Sequence, residues 1–382
     1  MTLREKIVQE IRFQGPIPFS RYMDLCLYDT ELGYYSRPVE QFGKAGDFYT
    51  SSDVHAVFGR LLARQFEEMW RVLGSPPQIE ILELGPGRGL FAQDVLDWSE
   101  KRFPECFQAL HFSLAERSPA LQSRLQKTLS RHLASGRATL VETSPNCGRA
   151  FSQTIPIIVF ANEFFDALPV DIVSARGWLQ VAEKEGRFIE VWDGPSPEQL
   201  DFLERFSVHP EPGERIEVPL IAQQYMGSAA QLIQKGFLIA IDYGYTRAEQ
   251  AAGRHRGTLM TYRRHAAGGN PYEAPGEQDI TAHVDFTALA SAAEKEDMQV
   301  QPLVTQAQFL LGIGEANQFA DAFEECRIPQ ERAKVALQLK HLVTPAGIGE
   351  TFHVLLASKG IDVEKTASLS GLNFGRAALK PR

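Results

Sequence analysis

Leu3, Ile7, Val8 and Ile11 recur every three to four positions, the spacing of one helical face, and Gly15-Pro16 ends the run. A second short helix is predicted after Ser20. From Gly33 to Ser52 the period dissolves into Gly, Tyr, Ser and Phe, a loop composition that includes GKAGDFYTSSD at 43–53. Asp53 then stands where it can cap a long helix with the apolar face Val57, Phe58, Leu61, Leu62, Phe66, Met69 and Trp70, broken by Gly74-Ser75-Pro76-Pro77. The first 77 residues read as a helical preface.

Beyond it the pattern changes to short β-prone runs alternating with helices: Ile79–Leu84, a helix from about Leu90, His111–Ala115, a helix from about Pro119, Ala138–Glu142 and Ile157–Ala161. Strand and helix alternating in this way predict βαβ units, hence an α/β fold with a parallel sheet covered on both faces. The stretch Ile172–Val218 interrupts the rhythm with a predicted hairpin, Trp178–Glu183 and Arg187–Trp192 around Lys184-Glu185-Gly186. The alternation resumes with a helix near Gln223–Gln234 and the apolar strand Phe237–Ile241. A long Gly/Ala/Arg-rich loop follows, then helix His283–Ala292, strand Met298–Pro302, helices between Thr305 and Leu342, and a last strand Thr351–Ala357. The organisation predicted is an N-terminal helical extension (1–77), a first half of the core (78–171), an inserted hairpin and helix (172–235), and a second half (236–382) carrying the long loop, 243–277.

The 382 residues are 44% apolar and 23% charged, as in an ordinary globular chain, and 39 basic against 48 acidic residues give a net charge of −9. No cluster of Lys and Arg is long enough to track a nucleic-acid backbone, so nucleic acid is excluded as the main partner. Cys26, Cys106, Cys147 and Cys326 lie far apart with no neighbouring His at metal spacing, so no metal site is expected. No apolar run is long enough to span a membrane, and the N-terminus, with charges of both signs, is unlike a secretory signal; a cytoplasmic protein is expected. The segment Tyr243–Gly269 is locally basic, with Arg247, Arg254, Arg256, Arg263 and Arg264 against Glu249. It reads either as a recognition surface for an acidic protein or as a solvated loop.

Candidate chemistry gathers at strand ends. Glu83 closes the first core strand, and Gly85, Gly87 and Gly89 follow at alternate positions, where a backbone has to turn tightly and come close to a ligand. A dinucleotide fingerprint needs a small residue where Leu90 stands, which disfavours a nicotinamide-dependent oxidoreductase. The spacing resembles instead the first motif of class I S-adenosylmethionine-dependent methyltransferases. Glu116, ending the next strand, is either a solvated strand-end charge or an acceptor for both hydroxyls of a ribose. The apolar strand Ile157–Ala161 runs into Asn162, Glu163 and Asp166 among Phe164, Phe165 and Leu168: either a helix cap or a semi-dry acidic site.

The chain resembles the MidA-like methyltransferases, the family that includes the mitochondrial complex I assembly methyltransferase. The strings that carry the resemblance are GDFYTSSDVHAVFGRLLA (46–63), ELGPGRG (83–89), ANEFFDALPV (161–170), IDYGY (241–245), RGTLMTYRRH (256–265), PGEQDITAHVDFTAL (275–289) and TQAQFLLGIG (305–314). The chain departs from the family pattern at Ser52-Asp53, Thr344-Pro345 and Ile348-Gly349. The resemblance implies a Rossmann-like class I methyltransferase sheet with an N-terminal extension and insertions, S-adenosyl-L-methionine as cofactor, and a protein substrate. For the complex I assembly branch it implies an arginine guanidinium on a complex I subunit. It further implies that the loop with Gly46, Asp47 and Thr50 closes over the cofactor, which Glu83, Gly85, Gly87, Gly89, Glu116 and Asn162 would bind; Thr50 alone reads equally as a cap.

A guanidinium stays protonated and needs carboxylate partners that orient it, so Glu163 and Asp166 are the candidate clamp. Asp279, His283 and Asp285 are placed to line the substrate side. His283 is a candidate proton acceptor, with a helix cap the competing role for Asp279 or Thr281. A non-catalytic assembly factor that keeps the fold is the other reading of function.

Overall fold

The computed structural model describes residues 1–37, 56–142, 154–263, 266–315 and 317–374. Helix α1 (Leu3–Gln14) starts at Thr2, which exchanges side-chain and backbone hydrogen bonds with Glu5, and stops at Gly15, whose φ of +91° favours glycine. It is followed by β1 (Ile17–Pro18), α2 (Phe19–Tyr28) and α3 (Val57–Val72). The core begins with β2 (Ile79–Leu84), α4 (Leu90–Arg102), β3 (Leu110–Ala115), α5 (Pro119–Thr128), β4 (Ala138–Val141) and β5 (Ile157–Asn162). Four strands then leave it, β6 (Asp171–Ser174), β7 (Gly177–Lys184), β8 (Arg187–Asp193) and β9 (Arg215–Val218), with α6 (Pro197–Phe206) before the last.

The chain returns through α7 (Leu220–Gln231) and β10 (Gly236–Tyr245) to the short strands β11 (Met260–Arg263), β12 (Ala266–Gly268), β13 (Asp279–Thr281) and β14 (Val284–Asp285). It closes with α8 (Phe286–Glu294), β15 (Gln299–Val300), β16 (Val304–Thr305), α9 (Gln306–Glu315), α10 (Pro329–Val343) and β17 (Phe352–Lys359).

The central sheet has the order β15-β17-β10-β5-β2-β3-β4. Strands β4, β3, β2, β5 and β10 are parallel, and β17 runs antiparallel beside β10. Apolar residues on both faces explain why these strands read as continuous hydrophobic runs. Val57, Phe66, Phe91 and Phe309 pack with Phe160 on one side; Met226, Ala230, Leu289 and Ala293 pack with Val159 on the other. Strand order reverses outward from β2, so a crevice opens at the carboxyl ends of β2 and β5. Leu84 is in register with both Ala161 and Ala115, and therefore Gly85, Asn162 and Glu116 leave the sheet side by side.

The predicted hairpin is β7–β8, and it belongs to a second sheet in which β7 also pairs with β1 and β6, and β6 with β9. This sheet shares a core with α1 and α2: Leu3, Ile7 and Phe19 pack with Ile172, Leu179 and Val181, and with Ile280 and Ala282 from the far end of the chain.

The long-loop reading of 243–277 is corrected by the structure. The segment holds the end of β10, a short helix Arg247–Ala251, β11 and β12, which the Gly/Arg-rich composition concealed. Its arginines are largely committed: Arg256 bonds Glu214, Arg263 pairs with Glu277, and Arg247 donates to the carbonyls of Ser207 and Glu204. The helix expected from His283 starts three residues later, because Asp285 accepts the Ala288 N–H at 2.9 Å and caps α8. The strand expected at 298–302 is only two residues long. Among the described residues no helix is long and apolar enough to cross a membrane.

Candidate active site

At the carboxyl end of β2 the backbone turns through Gly85, Gly87 and Gly89, all with positive φ. Gly85 is compulsory on two counts: its φ is +66°, and a Cβ there would lie 2.8 Å from the Phe164 ring. A Cβ on Gly87 would instead project into open space, leaving a bare backbone beside the cavity. Glu116 accepts the Gly87 N–H at 3.1 Å and the Ser118 N–H at 2.8 Å, which ties the end of β3 to the glycine turn.

These elements line a cavity of about 510 Å³ that extends from Asp24, Tyr28 and Tyr35 past the glycine turn to Tyr225 and Leu232. Its acidic residues include Glu83, Glu116, Glu163, Asp166 and Asp279. Glu83 is 5% exposed, and its Oε2 has no partner among the described residues. Burial, with the charge of Glu116 nearby, pushes Glu83 up from 4.5 to about 8. Burial pushes Glu116 to about 7 against the pull of its N–H donors. Asn162 Oδ1 is likewise buried without a partner among the described residues. Unfilled acceptors beside a bare glycine backbone suit a ligand with hydroxyl donors and positive charge. Those are the features of an adenosyl sulfonium, so the residues present fit that group.

The turn after β5 is built around a residue that the sequence reading did not single out. Asp242, fully buried in β10, accepts the N–H groups of Phe164, Phe165 and Asp166 at one oxygen, at 3.0 to 3.3 Å, and that of Tyr243 at the other. Burial and the charges of Asp166 and Glu163 push its carboxyl up, while the backbone donors pull the other way. Glu163 occupies a left-handed conformation, φ +51°, its N–H donating to Ile241 O at 3.0 Å, while Asn162 Nδ2 donates to its Oε1 at 3.2 Å. Asp166 accepts the Tyr243 hydroxyl at 2.6 Å and leaves Oδ1 buried and unpartnered among the described residues; burial pushes it to about 6.

Two tyrosines from the N-terminal region complete this wall. Tyr28 and Tyr35 stack at 5.5 Å; the Tyr28 hydroxyl donates to Ala167 O at 3.0 Å and that of Tyr35 to Asp279 at 3.1 Å. The polar residues at the end of β10 carry the same signal as Asn162 at the end of β5, an apolar run stopping at polar groups on the sheet's carboxyl edge. Tyr28 and Tyr35 have no comparable signal, since only the fold brings them there.

Of the residues anticipated from sequence, Glu83, Gly85, Gly87, Glu116, Asn162, Glu163, Asp166, Asp279 and His283 all line this cavity. Gly89 is set back from it and starts α4, where a Cβ would meet Leu125 and Leu129 at 3.1 Å. Asp285 caps α8 instead of facing the substrate side, and so takes the role anticipated for Asp279 or Thr281. Gly46, Asp47, Thr50 and the anticipated cap Asp53 lie outside the described residues.

Residues 61–304 match the family model of S-adenosyl-L-methionine-dependent methyltransferases. The Drosophila melanogaster protein arginine methyltransferase NDUFAF7 homolog, mitochondrial, is 28% identical over 396 aligned positions, covering 94% of this chain and 85% of that protein. The human protein of that name, NDUFAF7, is 26% identical over 377 positions, 91% of this chain and 81% of its own length. Among solved structures, a Burkholderia thailandensis protein with bound S-adenosyl-homocysteine superposes with a TM-score of 0.80 at 28% identity, over 97% of this chain and 94% of that one.

Proposed function

From the premise that this chain belongs to the S-adenosyl-L-methionine-dependent methyltransferase family, we propose that it N-methylates the guanidinium of an arginine side chain in a protein. The observation that carries this reading is the acidic, tyrosine-walled end of the cavity, where Glu163, Asp166 and Asp279 converge beside the glycine turn. A guanidinium brings five N–H donors in a rigid fork, and carboxylates in a partly dry site both satisfy them and fix the plane of the group. The relatives named as protein arginine methyltransferases support the same acceptor.

In this reading Asp166, held at one oxygen by the Tyr243 hydroxyl and with its Oδ1 unpartnered among the described residues, accepts from the guanidinium, and Asp279, which accepts the Tyr35 hydroxyl, adds negative charge beside it. The bound cofactor supplies an electrophilic methyl group. The protein's task is to bring the guanidinium nitrogen in line with that methyl at near-attack distance and to keep water out. Glu83, Glu116 and Asn162 fit the adenosyl and amino acid parts of the cofactor, and the stacked pair Tyr28–Tyr35 covers the acceptor side.

The test uses the purified full chain with methyl-labelled cofactor and two sets of peptides identical except for Arg or Lys, together with a respiratory complex I subunit as protein acceptor. Acid hydrolysis and amino acid analysis should place label in methylarginine. Label in lysine, or at a carboxyl or hydroxyl oxygen, would overturn the arginine assignment and leave the methyltransferase family intact.

A further inference from the structure

His283 lines the same cavity as Asp166 and Asp279, between β13 and β14. Its ring stands edge-on to Tyr243 at 5.3 Å and 84°, the same tyrosine whose hydroxyl holds Asp166. Its Nδ1 lies 3.1 Å from Nδ1 of His255. Two imidazole nitrogens at that distance share a single proton: with none their lone pairs repel, and with two their N–H groups collide.

His255 is held there at a cost. Among the described residues it is one of the few non-glycines with positive φ, +56°, a strained conformation for a side chain with a Cβ. Its ring stacks on the buried Tyr245 at 5.2 Å and 17°, and its carbonyl accepts from Gln250, itself fully buried and fixed by Ser207 and Tyr245. Both histidines are half-buried; His283 lines the cavity while His255 lies outside that lining, next to the exposed Arg254, so the pair leads from the cavity wall towards the surface.

We propose that His283 and His255 form a two-ring proton exit, with His283 the acceptor at the cavity wall and His255 the positioning residue that fixes its tautomer and passes the proton outward. The proposal rests on the guanidinium acceptor argued above. When the nitrogen attacks, the N–CH3 bond forms, the S–CH3 bond breaks and its electron pair stays on sulfur as a thioether. The nitrogen then carries an extra positive charge and one of its N–H protons must leave.

A proton that acidic needs only a weak base. A neutral ring also meets two cationic reactants without repelling them. Burial and His255 together keep His283 neutral, pushing it down to about 4. With Nδ1 committed to His255, Nε2 is the nitrogen left for the cavity. It takes the proton while Nδ1–H donates to Nδ1 of His255. Tyr243 faces His283 from β10, and its hydroxyl is held by Asp166 in the turn after β5. Tyr245, Glu249 and His353 face His255 from β10, the short helix after it and β17.

The test compares wild type with His283→Asn, His255→Asn and the double variant, as full chains turning over an arginine peptide, with S-adenosylhomocysteine affinity measured in parallel. The H283N variant should lose about 100-fold in kcat, the scale of general-base catalysis, with inhibitor affinity within about twofold of wild type. The H255N variant should lose about tenfold. The double variant should be no worse than H283N, because both residues act on one step. The losses in all three variants should shrink as pH rises and hydroxide replaces the missing acceptor, a trend that loss of packing alone does not produce.

Undiminished kcat in H283N, or losses that multiply in the double variant, overturns the proton exit. A second readout needs no variant: NMR titration of wild type should show the His283 ring still neutral at about pH 5 with its Nδ1 hydrogen-bonded to His255, and a His283 ring that protonates near 6.5 overturns the shared-proton pair. Product analysis in the same samples separates the two ideas. Methylarginine with unaffected variants sinks the exit alone, whereas label on any other residue sinks both.

Discussion

Glu83 couples the stability of the fold to its ligand, and Glu83→Gln measures the coupling. In the unfolded chain its carboxyl ionises near the ordinary 4.5, whereas in the fold burial and Glu116 hold it protonated until about 8. Its contribution to stability is therefore fully present below about 4.5 and is lost as pH rises from there through 8. At roughly 1.4 kcal/mol per pH unit, folding near pH 7 is penalised by about 3 kcal/mol relative to a side chain that does not ionise. The amide has nearly the same shape and no charge to bury.

The ligand-free variant should therefore match wild type near pH 4.5 and melt roughly 4 °C higher near pH 7. It should bind S-adenosylhomocysteine about 10- to 100-fold more weakly, since a charged acceptor contributes about 1.5–3 kcal/mol. Differential scanning fluorimetry across pH gives the first number and calorimetry the second. An unchanged melting temperature near pH 7, with the same pH slope as wild type, would refute the buried-carboxyl argument; undiminished affinity would remove Glu83 from the cofactor site.

Asp242→Asn should destabilise the fold by about 1–3 kcal/mol in urea titrations, since four N–H groups converge on the carboxyl and the amide presents a donor to at least one of them. Turnover should fall with it, because the same turn aims Glu163 and Asp166. Tyr243→Phe removes a donor that lowers the Asp166 pKa, so that carboxyl should rise beyond about 6 and the acidic limb of the pH–rate profile should move to higher pH, with little change near pH 9. A profile that only scales down would mean that Asp166 does not need to be ionised for catalysis.

Much of the fold was readable because the signals are local. Parallel strands covered on both faces have to be apolar along their length, and Ile79–Leu84 and Ile157–Asn162 show that directly. Glu116 was findable for the same reason, as a polar group at the point where an apolar strand stops. The second sheet was not, because β1 and β6–β9 come from opposite sides of the first half of the core. Nothing in Ile17-Pro18 signals that it will pair with Val181 and Gln180. The basic segment is opaque for a related reason: the acids that neutralise Arg256 and Arg263, Glu214 and Glu277, lie outside residues 243–269.

The acids that line the cavity set the electrostatics of the ligand-free fold. Glu83, Glu116 and Asp166 are all pushed up by burial, so the ligand-free fold penalises the ionised form of each. A cavity that concentrates such groups is therefore stabilised by cationic occupants. A sulfonium at one end and a guanidinium at the other would each lower the cost of ionising the acids beside it, and binding of either should release protons near pH 7. The same logic orders the two histidines: the acids attract the cations, and a neutral ring, kept neutral by its partner, removes the one proton whose departure completes the reaction.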